Sequence, residues 1–256
     1  MPLQPQGSKP PLFLVHGWGG DVYGFMALAK LMDADRPIYG IQAVGLDGKV
    51  PRHTSVEEMA AYYVKEIRSF QPEGPYFLAA YSLGGLIAFE VAQQLHRLDQ
   101  RVAFLGLMDS DPIDGLPWSA YAPYLVERCT LHFRRWWAMP NHDRLDYLGR
   151  RWATLRTRTA KNRSKPPPRD SQTTQVAGFD DYYHSLTAAY RLQPYAGSID
   201  VFASDETESH GGTSWRHLVS GSVSLHRVPG THFEIIKPAY VPKLAEVLRA
   251  ALNQAR

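Results

Sequence analysis

The segment around Ser82 carries the residue pattern best suited to covalent chemistry. The apolar run Tyr76–Tyr81 predicts a buried strand and Leu83–Leu98 predicts a helix, so Ser82 lies at the tip of a strand–turn–helix. The pattern Ala80-x-Ser82-x-Gly84 differs from the G-x-S-x-G of nucleophilic serines only in its first residue. We predict that Ser82 is a nucleophile; the alternative is a serine that only caps the helix.

A base must accompany this serine, because a hydroxyl group becomes a good nucleophile only when its proton is taken. In α/β-hydrolases the three catalytic residues follow one another along the chain in the order Ser, acid, His. His232 comes just after the last predicted strand, Ser224–Val228, in a loop that contains Pro229 and Gly230. The order therefore predicts His232 as the general base.

Two acids stand at positions from which they could orient this histidine. Asp109 ends the predicted strand Val102–Met108, and Asp205 follows the predicted strand Ser198–Ala203. Both positions belong to the carboxyl edge of a parallel sheet, where a histidine after the last strand can be reached. The spacing of the residues alone does not choose between the two.

A glycine-rich loop follows the first predicted strand, Pro11–His16, and continues as Gly17-Trp18-Gly19-Gly20. Acyl transfer builds negative charge on an oxygen atom, and backbone N–H groups in such a loop can stabilise that charge. We predict the N–H of Leu83 as one donor and the N–H of Gly17 or Trp18 as the second. The alternative is a plain glycine-rich turn. A phosphate-binding loop is excluded, because the segment lacks the residues of either phosphate-binding motif.

The elements that must position these residues alternate between strands and helices over most of the 256-residue chain, which indicates a mostly parallel sheet flanked by helices. The alternation stops at residues 112–176, where two helical patterns and no clear strand occur. We therefore predict an α/β core of residues 11–111 and 177–256, a helical insertion at 112–176 and a linker at 1–10.

Composition excludes several classes of protein. The one cysteine rules out a disulfide framework and a cysteine-based zinc site, and no histidine spacing indicates a metal. No apolar run is long enough to span a membrane, and no secretory signal is visible, so we expect a cytoplasmic location.

Charge is distributed unevenly. The net charge is +3, yet residues 127–169 contain twelve basic and three acidic residues. Three interpretations remain open for this basic segment: a solvated surface, a docking surface for an acidic protein domain, or a surface for nucleic acid or membrane.

The sequence as a whole resembles the thioesterase domains that end nonribosomal peptide and polyketide synthases. The resemblance covers nearly the whole chain and is carried by FLVHGWGGDVYGFMALAKLMDADRPIYGIQAVGLDG (13–48), YFLAAYSLGGLIAFEVAQQL (76–95), FLGLMDSDP (104–112) and VPGTHFEII (228–236). It implies an α/β-hydrolase fold in which the insertion 112–176 is a helical lid. It also favours Asp109 as the triad acid, with Asp205 as runner-up.

The resemblance further implies a substrate and a partner. The substrate would be an acyl or peptidyl chain held as a thioester on the phosphopantetheine arm of a carrier domain, either upstream in the same chain or on a separate protein. An acyl-Ser82 ester would form and be released by hydrolysis or cyclisation. No bound cofactor, nucleic acid or membrane partner is implied, and a monomer is expected.

Two other functions fit the same residues. A carboxylesterase or lipase acting on free oxygen esters would use an identical triad. A non-catalytic binding protein with a hydrolase fold would keep the architecture without the reaction.

Overall fold

A computed structural model describes residues 1–46, 53–112, 182–207 and 211–255. Within them the sheet has seven strands, in the order β1-β3-β2-β4-β5-β6-β7. The strands are β1 (Pro2–Gln4), β2 (Leu12–Val15), β3 (Ile38–Ile41), β4 (Tyr76–Tyr81), β5 (Val102–Met108), β6 (Ile199–Ala203) and β7 (Val223–Arg227). The helices are α1 (Met26–Ala29), α2 (Val56–Phe70), α3 (Gly84–Arg97), α4 (182–189), α5 (Gly211–Arg216) and α6 (Val241–Gln254).

Both faces of the sheet are covered by helices, which explains why its central strands read as continuous apolar runs. Every residue of β2 and β4 is buried. On one face, alternate strand residues such as Leu14 and Phe77 pack in one cluster with Leu28 of α1 and Leu248 of α6. On the other face α2 and α3 pack together, and α3 contacts β2, β4 and β5. The α/β-hydrolase architecture predicted from the sequence is confirmed for the described residues.

Helix α2 begins directly after a serine that caps it, Ser55. The Ser55 hydroxyl accepts a hydrogen bond from the Glu58 N–H at 3.1 Å, which satisfies one of the free donors of the first turn. The Glu58 carboxylate turns to the N–H of Thr54, at 2.7 Å, rather than to that of Ser55. On the inward face of this helix Tyr63 is completely buried, and its hydroxyl contacts the imidazole of His16 at the end of β2.

The prediction that residues 1–10 are a linker is wrong for their first part. Pro2–Gln4 forms β1, which pairs antiparallel with β3 at the edge of the sheet. The Gln4 side-chain amide also donates to the carbonyls of Asp33 and Arg36. Pairing of this kind depends on backbone groups and a free strand edge, so a polar, proline-containing sequence gives no apolar signal for it.

Some predictions lie on other parts of the chain. The insertion 112–176, apart from Pro112, and the basic segment 127–169 lie outside the described residues. No helix in the ranges that the structure describes is long and apolar enough to cross a membrane.

The chain order of the strands creates the crevice in which the site lies. From β2 the chain moves outward to β3 and then returns to place β4 on the other side of β2. Loops that leave β2 and β4 therefore diverge to opposite faces, and such a switch point is where ligands bind in open α/β sheets. The loops after β5, β6 and β7 reach the same carboxyl edge because these strands run parallel to β4.

Candidate active site

Ser82 occupies a strained turn between β4 and α3. Its φ of 56° lies in the left-handed region, which is uncommon for a residue with a side chain. The turn is tied to the neighbouring strand, since the Ser82 N–H donates to the carbonyl of Met108 at 2.9 Å. Such a turn projects the hydroxyl group from the end of the sheet, as in a nucleophile elbow.

Close approach of backbones explains the small residues after this serine. A Cβ atom on Gly84 would lie 2.1 Å from the His16 carbonyl oxygen, at the end of β2. One on Gly85 would lie 2.0 Å from the Ser110 hydroxyl, at the end of β5. The helix therefore enters between two strand ends that leave no room for a side chain. Ala80, the departure from the usual pattern, is wholly buried in β4.

The structure brings Ser82 and His232 together across the crevice. The Ser82 Oγ lies 3.0 Å from the His232 Nε2. On its other side the His232 Nδ1 lies 2.6 Å from the Asp109 Oδ2. An ionised carboxylate only accepts hydrogen bonds, so the proton of the neutral imidazole belongs on Nδ1 and leaves Nε2 to accept from Ser82. This is the tautomer that can receive the serine proton.

Asp109 is held as a buried carboxylate. Its side chain is 0% exposed, and its second oxygen accepts from the Ser204 N–H at 2.8 Å and from the Thr207 hydroxyl. Burial by itself raises the pKa of Asp109, but the hydrogen bonds from His232, Thr207 and Ser204 outweigh it, so that pKa falls below its ordinary value. The carboxylate therefore stays ionised at neutral pH.

Asp205, the alternative acid, makes a different set of contacts. Its Oδ2 accepts from the Gly230 N–H at 2.9 Å, and its own N–H donates to the Gly230 carbonyl at 3.0 Å. These bonds connect the loop after β6 to the loop that carries His232. The geometry gives Asp205 a part in holding that loop, whereas the carboxylate against the imidazole is that of Asp109.

Two residues that the sequence reasoning missed fix the position of His232. The Tyr81 hydroxyl donates to the His232 carbonyl at 2.5 Å, and the two rings stack with centroids 5.1 Å apart. The Glu206 carboxylate accepts from the His232 N–H at 3.0 Å. Tyr81 adjoins the serine in sequence, but no local pattern predicts its contact with His232, which lies 151 positions further along the chain.

The predicted oxyanion loop lines the cleft beside Ser82. This cleft has a volume of about 210 Å³, and its described lining includes Gly17 and Trp18 from the loop after β2. Phe233 and Ile236 line it on the histidine side. Leu83 precedes the first turn of α3, where N–H groups have no acceptor within the helix, so its N–H is suited to an anionic oxygen.

A family model and two relatives of known name match nearly the whole chain. Residues 10–252 match the family model described as the thioesterase domain. The inactive atromentin synthetase invA4 of Paxillus involutus is 44% identical over 99% of this chain and 28% of its own length. The nonribosomal peptide synthetase btyA of Aspergillus terreus is 30% identical over 98% of this chain and 29% of its own. The chain thus spans less than a third of either relative.

Solved structures support the fold. The NocB thioesterase domain from the nocardicin cluster superposes with a TM-score of 0.70 at 23% identity, covering 99% of this chain and 98% of that one. The four-domain nonribosomal peptide synthetase AB3403 gives 0.68 at 23% identity, covering 98% of this chain and 20% of that one. The resemblance noted in the sequence is confirmed, and the family is one of hydrolytic enzymes. The chain belongs to the thioesterase domain family, and its homologues are nonribosomal peptide synthetases.

Proposed function

We propose that this domain cleaves an acyl or peptidyl thioester carried on a phosphopantetheine arm, through an acyl ester on Ser82. The observation that carries the proposal is the hydrogen-bonded chain from Ser82 through His232 to Asp109, in which Ser82 and His232 line a cleft together with Phe25 and Phe233. A serine, a histidine and a buried carboxylate in this order form the set that acyl transfer requires.

In the first half of the reaction, the Ser82 oxygen attacks the thioester carbonyl carbon while His232 Nε2 takes the hydroxyl proton. The carbonyl oxygen becomes an oxyanion, which faces the N–H of Leu83 and that of Gly17 or Trp18. The carbon–sulfur bond then breaks, and the imidazolium returns its proton to the leaving sulfur. Asp109 stabilises the imidazolium, since its carboxylate lies 2.6 Å from Nδ1.

In the second half, His232 removes a proton from the attacking group, which is a water molecule or a nucleophile of the acyl chain itself. Attack on the ester carbonyl regenerates Ser82 and releases a free acid in the first case and a ring in the second. The same donors stabilise the second oxyanion, because both intermediates place the oxygen at the same position relative to Ser82.

The carrier domain is the proposed partner. The relatives are several times longer than this chain and are named as synthetases, and the structurally similar AB3403 is named as a four-domain nonribosomal peptide synthetase. Both observations support a carrier upstream in the same polypeptide. A carrier on a separate protein would present the same chemical group. In either case the phosphopantetheine arm must reach Ser82 through the cleft, whose described walls include Trp18, Phe25 and Phe233.

Two other functions use the same geometry. An esterase acting on free oxygen esters would need the same three residues, and the family membership favours the thioester. A non-catalytic binding protein also deserves a direct test, because one relative of high identity is named as inactive.

The experiment is intact-protein mass spectrometry after mixing with an acyl-pantetheine thioester, and it compares wild type with Ser82→Ala. We expect an acyl adduct or rapid turnover with wild type and neither with Ser82→Ala. The matched control is Ser69→Ala, an exposed helix serine whose hydroxyl donates to the carbonyl of Glu66. The mass of the released product distinguishes acid from ring.

The outcomes separate the three functions. Fast turnover of alkyl esters with none on thioesters would favour the esterase. A Ser82 that a fluorophosphonate does not label would favour the non-catalytic protein. Equal adduct formation by Ser82→Ala and wild type would overturn the serine mechanism.

A further inference from the structure

A second histidine lies beside the site and takes no part in the proton transfers described above. His16 stands at the end of β2 and is 0% exposed. Its Nδ1 lies 2.6 Å from the Gly17 carbonyl oxygen, and its Nε2 lies 2.7 Å from the Tyr63 hydroxyl of α2. The imidazole therefore connects a core helix to the first residue of the glycine-rich loop.

The protonation of His16 follows from its surroundings. Burial lowers the pKa of His16 to about 4, so the ring is neutral at pH 7. A carbonyl oxygen only accepts, so the single ring proton is on Nδ1 and is donated to Gly17. The Nε2 atom then accepts from the Tyr63 hydroxyl.

The hydrogen bond from His16 Nδ1 to the Gly17 carbonyl fixes the orientation of a peptide group in the loop. The Gly17 carbonyl also accepts from the Gly20 N–H at 3.1 Å, so it is held from two sides. In a trans peptide the C=O and N–H bonds point in opposite directions. Holding the Gly17 carbonyl against the buried His16 ring therefore directs the Trp18 N–H to the other side of the loop.

The Gly17–Trp18 segment also lies beside the nucleophile turn. A Cβ atom on Gly17 would lie 3.0 Å from the Tyr81 ring, next to Ser82 in sequence. Gly17 and Trp18 line the cleft together with Ser82 and His232. The His16 carbonyl also lies against the start of α3, where a Cβ atom on Gly84 would be 2.1 Å away. The start of the loop thus packs directly against the start of α3, next to Leu83.

We propose that His16 and Tyr63 are a positioning pair that locks the Gly17–Trp18 peptide and so directs the Trp18 N–H, together with the Leu83 N–H, at the oxyanion formed on Ser82. This inference rests on the proposed function, because it assigns the second oxyanion donor of the same reaction. It selects Trp18 over Gly17, a choice that the sequence left open. Neither His16 nor Tyr63 needs to touch the substrate.

The test compares two substitutions of His16. His16→Asn keeps a short side chain with an N–H donor near the position of Nδ1, whereas His16→Leu keeps bulk and removes the donor. The probe is an alkyl trifluoromethyl ketone, which adds to a nucleophilic serine and places a negative oxygen in the oxyanion site. The matched control ligand is the methyl ketone of the same chain, which binds without forming the adduct.

We expect His16→Leu to weaken trifluoromethyl ketone binding about 10- to 100-fold, somewhat less than the loss of a whole oxyanion donor. Binding of the methyl ketone should change less than about twofold. His16→Asn should recover most of the lost affinity. Equal weakening of both ketones, unchanged affinity in folded His16→Leu, or the absence of rescue by asparagine would each overturn the proposal.

Tyr63→Phe provides a second variant in case His16→Leu does not fold. It removes one hydroxyl group from a wholly buried side chain. The matched control is Tyr76→Phe, which also removes a hydroxyl group from a buried tyrosine, but one that bonds the Gln71 carbonyl away from the site. We expect Tyr63→Phe to weaken trifluoromethyl ketone binding about threefold or more and Tyr76→Phe to leave it unchanged. Equal effects of the two would overturn the proposal.

Binding of the trifluoromethyl ketone is followed by ¹⁹F NMR, and binding of the methyl ketone is followed in the same spectra by its competition with the trifluoromethyl ketone. Neither measurement needs turnover. Wild type that forms the ketone adduct but does not cleave thioesters would overturn the proposed function alone. In that event the comparison of the His16 variants still tests the positioning of the oxyanion loop.

Discussion

Replacing Asp109 by asparagine is expected to reduce kcat/KM on a thioester by about 10⁴-fold, the size typical of removing the acid from such a triad. The structure determines how the new amide must point. One oxygen of Asp109 accepts from the Ser204 N–H at 2.8 Å, and the other faces the His232 Nδ1 at 2.6 Å. If the amide oxygen stays with Ser204, the NH₂ group faces His232 and forces its proton onto Nε2. That tautomer cannot accept the Ser82 proton.

The opposite orientation of the amide has its own cost. In that orientation the NH₂ group of the asparagine would face the buried N–H of Ser204. That N–H would lose its acceptor, and an unpaired buried donor costs about 1–3 kcal/mol. In addition, the imidazolium loses a carboxylate neighbour worth about 4 kcal/mol at an effective dielectric constant near 20. Together these amount to about 5–7 kcal/mol, or about 10⁴- to 10⁵-fold in rate.

Asp205→Asn is the matched control, because Asp205 is the other acid at this edge of the sheet. Its carboxylate accepts from the Gly230 N–H at 2.9 Å, and an amide oxygen can do the same. We expect an effect within about 0.5 kcal/mol, or about twofold. Both variants would be assayed for release of an acyl-pantetheine thioester, with thermal melting to establish that each is folded.

Two outcomes would refute this reasoning. A folded Asp109→Asn that keeps more than about a tenth of wild-type kcat/KM would show that the acid is not Asp109. A loss in Asp205→Asn as large as that in Asp109→Asn would assign the acid's role to the loop after β6.

Two further predictions concern the surroundings of the triad. Tyr81→Phe keeps the ring stacked on His232 and removes the hydrogen bond to its carbonyl, so kcat should fall about two- to tenfold with little change in KM in steady-state kinetics. An unchanged kcat would mean that the ring stack and the Glu206 hydrogen bond suffice to hold the histidine. Because the pKa of Asp109 is lower in the folded chain than its ordinary value near 3.9, its contribution to stability is complete above about pH 4 and is lost as the pH falls through the folded-state pKa. Urea unfolding of wild type and Asp109→Asn between pH 3 and pH 7 should therefore show a flatter acid limb in the variant, and parallel curves would contradict the assignment.

Much of the fold could be predicted from the sequence because its elements have strong local signals. The runs at Tyr76–Tyr81 and Val102–Met108 are apolar without alternation, as in strands covered on both faces, and the structure gives both the predicted bounds. Helix α2 begins after Ser55, and serine is a residue type that commonly caps helices. Strand β1 had no such signal, because its pairing with β3 uses backbone groups and a free edge rather than apolar side chains.

The sequence by itself determined which residues could carry the chemistry. Ser82 and His232 follow from a strand–turn–helix and from chain order, which are local or ordinal features. Chain order places Asp109 and Asp205 equally well, since both end strands at the same edge. Only the tertiary structure decided between their contacts, because a hydrogen bond depends on a few tenths of an ångström and on side-chain direction. Asp109 bonds His232, and Asp205 bonds the loop at Gly230.

The surrounding groups belong wholly to the tertiary structure. Tyr81 and Glu206 hold the backbone of His232, and Tyr63 reaches His16 from a helix 47 residues further along the chain. Spacing in sequence carries no information about such contacts, because they arise only when separate elements pack around one core. The catalytic residues can therefore be predicted from the sequence. The groups that fix their positions can be identified only in the tertiary structure, where the sheet brings its strand ends together.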